Sequence, residues 1–235
     1  MRKYIFVLLT VFCFPVFGQD VFIASFRGTA PSSLLTGLVS YWNFNETSGD
    51  LLDIVGSHPG TLGASTASPT QGASGIIGTA YTFDGSNDII TLASPITTGT
   101  TFSLSFWLKP NTQSGYGTIL TDNGGLSGVW YIGTGNKIDF YSGTDHLNTT
   151  GLTNAQWNHM VITCNAGVIG IYINGQSDII TFTTFGGYSA NSIGRHTTYE
   201  ALKGNLDEMG FWSRVLTSAE VTTLYNSGAG KAYPF

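Results

Sequence analysis

The segment GNLDEMGFWSRVLTSAEVTTLYNSG, residues 204–228, sets two carboxylates side by side at the head of an apolar run. The whole chain has only 14 acidic residues among 235, so the pair stands out. If the run is a strand, successive side chains point to opposite faces. Leu206, Glu208, Gly210 and Trp212 then share one face, and Asp207, Met209 and Phe211 the other. Neither is a plain solvent face. An enclosed carboxylate must be paired, hydrogen-bonded, metal-bound or protonated. Cations for pairing are scarce, with Lys203, Arg195 and Arg214 the candidates. Two chemistries remain open: calcium held by several oxygens, or carboxylates bonded to loop N–H groups or to Arg214. Asp207 is expected as the direct ligand and Glu208 as an anchor of loop backbone.

Other catalytic patterns are sparse. Glycoside cleavage needs two carboxylates about 5–5.5 Å or about 6.5–9.5 Å apart, and the chain offers only Glu46, Glu200, Glu208 and Glu220 as glutamates. A G-x-S-x-G nucleophile elbow is absent. The run GTGNKI is not followed by the lysine-hydroxyl pair of a phosphate loop. His146, His159 and His196 show no zinc-like spacing. Cys164, in HMVITCNAG, has the setting of a buried, inert thiol. The chain is read as a non-enzyme.

Aromatic residues divide by context. Trp42, Trp107, Trp157 and Trp212 sit in strand-like runs and are expected to pack. Tyr116, Trp130, Tyr131, Tyr188 and Tyr199 lie in or near glycine-rich loops and are the candidates for a ligand-binding surface.

These residues need a scaffold, and composition points to its class. Charged residues make up 10% and glycines number 31, against about 25% charged in ordinary domains. Strands joined by tight turns have this profile. The net charge is −5 with nine Lys and Arg, which excludes the clustered cations that nucleic acid binding requires. MRKYIFVLLTVFCFPVFG, residues 1–18, has the charged head, apolar stretch and small final residue of an export signal. It implies a secreted or cell-surface protein with no membrane span in the mature chain, and leaves Cys164 without a disulfide partner. Residues 19–36 are read as a leader, and 37–235 as one domain.

From Gly37 the pattern is all β. TFSLSFWLKP sets Phe102, Leu104, Phe106 and Leu108 against Ser103, Ser105 and Trp107. Asn174-Gly175 is a strong hairpin signal. One short helix follows Thr217, whose hydroxyl and Glu220 form a capping box, and Gly228 is expected to stop it. About a dozen strands before one late helix predict a two-sheet antiparallel jelly-roll β-sandwich.

Five pieces in order, GLVSYWNFNETSGDLLDIVGSHPGTL, GTAYTFDGSNDIITL, TFSLSFWLKP, WNHMVITCNAGVIGIYINGQ and the segment at 204–228, resemble the laminin G-like domains of the concanavalin A-like lectin and glucanase superfamily. The resemblance covers residues 37 to 229. It implies a binding role and a calcium ion near the sandwich edge, held by Asp207 and Glu208 with Asn45, Asp53 and Asp84 from early loops. Asn45 departs from the carboxylate common in the family. The Glu-x-Asp-x-x-Glu arrangement of the superfamily's glucanases is absent. The expected function is a secreted lectin-like module for glycans or adhesion, with a structural or protein-interaction module as the alternative and a polysaccharide hydrolase as the lesser one. The expected partner is a glycan or a surface protein.

Overall fold

The computed structural model describes residues 32–122, 127–141, 143–182, 187, 189–196 and 201–235. The expected export signal and most of the expected leader lie outside them. Fourteen strands are found among the described residues: β1 (Leu38–Trp42), β2 (Gly60–Leu62), β3 (Thr70–Ser74), β4 (Thr79–Asp84), β5 (Ile90–Thr97), β6 (Thr101–Pro110), β7 (Tyr116–Thr121), β8 (Gly128–Ile132), β9 (Lys137–Tyr141), β10 (Asn158–Asn165), β11 (Val168–Ile173), β12 (Gln176–Phe182), β13 (Ser189–Ile193) and β14 (Lys203–Trp212). They form two antiparallel sheets. The larger runs β12-β11-β10-β6-β14-β4-β3, with β1 also on β14, and the smaller runs β2-β5-β13-β7-β8-β9. This is a jelly-roll sandwich with a single short helix, α1 (Ser218–Tyr225).

The main core lies between the sheets. Phe102, Leu104, Phe106 and Leu108 of β6 all enter it, as their alternation predicts. The Asn174-Gly175 turn joins β11 to β12 with both residues at positive φ, 49° and 79°, the conformation that favours Asn-Gly in a two-residue hairpin. A second, smaller core lies on the outer face of the larger sheet, where Val161 and Trp212 meet Leu216, Val221 and Leu224 from the α1 region and Leu34 from the opposite end of the domain.

Leu34 revises the expected boundary. Within residues 33–36, expected as the end of the leader, Leu34 is buried while Ser33, Leu35 and Thr36 stay exposed. Ser33–Leu35 form a 3₁₀ turn, the Leu34 carbonyl accepts from Trp212 Nε1 at 2.7 Å, and Arg214 donates to the carbonyls of Thr36 and Ser33 at 2.7 Å each. The folded domain therefore reaches back to Ser33. At α1 the capping box forms as expected. The helix ends two residues before Gly228, at Asn226, which takes the left-handed conformation (φ 47°).

β14 is the organising strand. Along one side it pairs with β6. Its other side is shared, with β4 taking Lys203–Leu206 and β1 taking Met209–Trp212. At the junction a bulge intervenes: Asp207 pairs with Trp107, but Gly210 pairs with Ser105, so β14 carries one residue more than β6. Glu208 sits in the bulge at φ 49°. This corrects the expected two-face alternation. The extra residue reverses the phase, so Leu206, Met209 and Phe211 all enter the main core.

Candidate functional site

Asp207 and Glu208 lie where β1, β4 and β14 meet, and the bulge puts them there. The carboxylate of Asp207 is fully buried. Its Oδ2 accepts from the backbone N–H groups of Ile76 and Ile77, at 2.8 and 3.1 Å, in the turn between β3 and β4. Its Oδ1 is buried without a hydrogen-bond partner. Glu208 Oε2 accepts from the Tyr41 hydroxyl of β1. The Tyr41 ring is covered in turn by Tyr233 and Phe235, with centroids 5.5 and 5.3 Å away. Thus each carboxylate fastens one of the two elements that share an edge of β14.

Burial sets the electrostatics. It pushes Asp207 up to about 8 against the pull of the Ile77 and Ile76 N–H groups, and the nearby Glu208 charge adds to the rise. Burial likewise raises Glu208 to about 7, opposed by the Tyr41 hydrogen bond. Tyr41 is raised well above an ordinary phenol, first by burial and then by Glu208. Burial thus favours the neutral form of Asp207 over the charged one.

Of the other expected calcium ligands, Asn45 holds the same β3–β4 turn as Asp207, while Asp53 and Asp84 are engaged in other loops. Asn45 Oδ1 accepts from the Thr79 N–H at 2.6 Å. Asp53 Oδ1 accepts from the N–H groups of Tyr41, Val55 and Gly56, and Oδ2 from that of His58, all at 2.8–3.1 Å. Burial alone would raise Asp53, but the N–H groups of Gly56, Tyr41, His58 and Val55 outweigh it and hold the carboxyl below its usual range. Asp84 Oδ1 accepts from the Ser86 N–H at 2.7 Å. Among the described residues no three His, Cys, Asp or Glu side chains converge where a metal ion could sit. This donor set does not fit calcium, which needs six to eight oxygens around one point. Arg214 does not serve the carboxylate pair either. It forms a two-pronged ion pair with Glu220, at 2.8 and 2.7 Å, and with help from the capping box drives that carboxyl down to about 2.

Of the expected binding aromatics, Tyr116 is exposed, at 44%. Trp130 and Tyr131 are corrections: at 4% and 0% exposure neither offers a ring face to a ligand. Tyr131 belongs to the main core, its hydroxyl donating toward Asn136 and Asn154, and Trp130 is edge-on to His196 at 5.6 Å. Both lie on β8, a strand paired on both sides, rather than in a loop. Tyr188 and Tyr199 lie outside the described residues.

The sequence reading overlooked His58. Its N–H donates to Asp53, and its carbonyl accepts from Trp42 Nε1 at 2.9 Å. Its Nδ1 lies 2.8 Å from Ser40 Oγ and 3.6 Å from Asp53 Oδ2. Ser, His and Asp together invite comparison with a nucleophilic triad, but a triad needs the hydroxyl and the carboxylate at opposite ring nitrogens. Here both face Nδ1, and Ser40 is buried. His58 lines a pocket of ≈ 280 Å³ together with Thr97, Thr98, Gly99 and Ser213 and the buried side chains of Phe102 and Phe211. The sequence signal for it was faint: one His five residues after an Asp.

Comparison with known proteins agrees with this architecture. No curated protein sequence matches the chain. Among solved structures, domain 4 of AbnA, a GH43 extracellular arabinanase from Geobacillus stearothermophilus in complex with arabinotriose, is similar over 79% of this chain and 97% of its own, with TM-score 0.65 and 21% identity. Trypanosoma rangeli sialidase is similar over 86% of this chain, at TM-score 0.64 and 13% identity, but this chain spans only 35% of it. The binding domain of Paraclostridial Mosquitocidal Protein 1 is similar over 82% of this chain and 52% of its own, at TM-score 0.61 and 19% identity. At these identities the likeness is one of fold. The family match is to a laminin G-like description, concanavalin A-like lectin/glucanases superfamily, and covers residues 84–222. Spanning more than half of the chain, and joined to the two-sheet jelly roll described above, it shows that the chain belongs to the concanavalin A-like lectin/glucanase superfamily as a laminin G-like domain.

Proposed function

We propose that this domain is a non-catalytic carbohydrate-binding module of an exported protein. The observation that carries the reading is its likeness to a single arabinanase domain, matched over 97% of that domain's length and solved with arabinotriose. The geometry of the carboxylates supports it. A hydrolase must bring an acid and a base to the scissile bond, whereas Asp207 and Glu208 are sealed beneath Tyr41 and the segment ending at Phe235. Their hydrogen bonds hold strands together. Export rests on the charge and apolar pattern of residues 1–18.

The test is a glycan array with residues 19–235, repeated in calcium and in EDTA. Binding in both buffers, with no product released from the bound polysaccharide, is the expected result. A folded protein that binds no glycan would move the reading to a protein-interaction module. Release of oligosaccharide would overturn the non-catalytic assignment.

A further inference from the structure

Resting on the carbohydrate-binding reading, we infer that a short glycan lies along the row Tyr116, Ile132 and Lys137 on the outer face of the smaller sheet. Register makes the row. Tyr116 of β7 is opposite Ile132 of β8, and Ile132 is opposite Lys137 of β9. Directly opposed residues share a face. That face points away from the core, because the alternate positions, Tyr131 of β8 and Ile138 of β9, are core residues. Neighbouring strands lie about 4.8 Å apart, so the row is about 10 Å long, the length of a disaccharide rather than of a long chain.

Exposure singles out Tyr116. Among the described residues, the large hydrophobic side chains most open to solvent are Leu35, Leu52, Ile54 and Tyr116, and Tyr116, at 44%, is the aromatic one. Ile132 and Lys137 beside it are half-buried. One step further along the strands the surface is closed, since Thr118, Trp130 and Asp139, which form the next row, are all buried. At the other end Gly133 donates to the Gly115 carbonyl at 2.9 Å, and neither glycine adds a side chain. Lys137 Nζ donates to the carbonyls of Asn148 and Thr149 at 2.7 and 2.6 Å. Lys137 therefore contributes its methylene stem to the row rather than a free ammonium. A sugar ring has an apolar C–H face and a hydroxyl-bearing edge. A phenol ring set among aliphatic groups matches the first, and its hydroxyl matches the second.

Tyr116 provides the test. The titrants are arabino-, xylo- and gluco-oligosaccharides of two to five residues, together with the strongest glycan of the array. Calorimetry should show at least a tenfold loss of affinity for Tyr116→Ala and little change for Tyr116→Phe, which keeps the ring. Leu52→Ala removes a still more exposed side chain, at 55%, from the loop after β1, and should bind as wild type. Melting temperatures should match throughout. Wild-type affinity in Tyr116→Ala would overturn the row while leaving the binding module intact, and so would an equal loss in Leu52→Ala. Wild-type protein that binds none of these sugars, nor any glycan on the array, would overturn both readings. Should Tyr116→Ala misfold, the same titration of wild type by NMR decides. Shifts at the amides of Gly115, Gly117 and Gly133 support the row, and shifts confined to other surfaces overturn it. Affinity that keeps climbing from the disaccharide to the pentasaccharide would overturn the short length.

Discussion

The Tyr41 hydroxyl donates to the Glu208 carboxylate and so ties β1 to the bulge of β14, 167 residues away in sequence. The bond is buried on both sides. Removing the donor leaves a buried acceptor unmet, which costs about 1–3 kcal/mol. Tyr41→Phe should lose that much stability in urea denaturation at pH 8. At pH 5, below the raised value of Glu208, the carboxyl carries its own proton and the loss should shrink. An equal loss at both pH values would show that the bond does not depend on the charge of Glu208.

Asp207 gives a second pH signature. Its value is raised in the fold, so its contribution to stability is fully present below about pH 4, declines as the unfolded chain ionises, and is lost as pH rises through about 8. Glu208 acts in the same direction up to about pH 7. Asp53 and Glu220 act oppositely, their stabilisation being lost as pH falls through their lowered values. Stability should therefore peak in mildly acidic solution. Asp207→Asn keeps an acceptor for Ile76 and Ile77 and removes the titration. It should match wild type near pH 4 and exceed it by roughly 1–3 kcal/mol at pH 8.

The revised boundary is testable by truncation of a side chain. Leu34 is buried in the second core, and Leu→Ala changes at such sites cost about 2–5 kcal/mol. Leu34→Ala should lower stability accordingly, whereas a true leader residue would leave it unchanged. Thermal or urea unfolding of residues 19–235 distinguishes the two.

Calcium makes a fourth case. The oxygens of Asn45, Asp53, Asp84 and Glu208 are committed to hydrogen bonds in separate places. Melting temperatures in millimolar calcium and in EDTA should coincide. A calcium-dependent rise, lost in Asp207→Ala, would restore the metal-site expectation.

Sheet class, the β6 alternation, the Asn174-Gly175 hairpin and the Thr217 capping box were legible because each is a local pattern. The bulge was not. Nothing in LDEMGF marks Glu208 as the residue that takes a left-handed backbone, since that choice follows from two strands competing for one side of β14. The anchoring role of Asp207 and Glu208 was legible as one of two alternatives. What decided between them was the set of N–H donors at Ile76 and Ile77, about 130 residues away. Trp130 and Tyr131 were misread because glycine-rich surroundings imply a loop, whereas both lie on β8 between β7 and β9, where Tyr131 turns into the core between the sheets. His58 was missed because its partners, Ser40 and Asp53, are brought to it by β1 and a loop rather than by any motif.

The Trp212 indole touches both ends of the domain, its N–H on the Leu34 carbonyl and its ring 6.2 Å from that of Phe235. Entry and exit of the folded chain are thus neighbours on one patch. A short linker could join them, and the chain could be reopened at Gly49, an exposed turn position where an added side chain would meet open space. Such a circular permutant would retain every strand pairing, and the same adjacency lets the domain be spliced into a loop of another protein without prising that host apart.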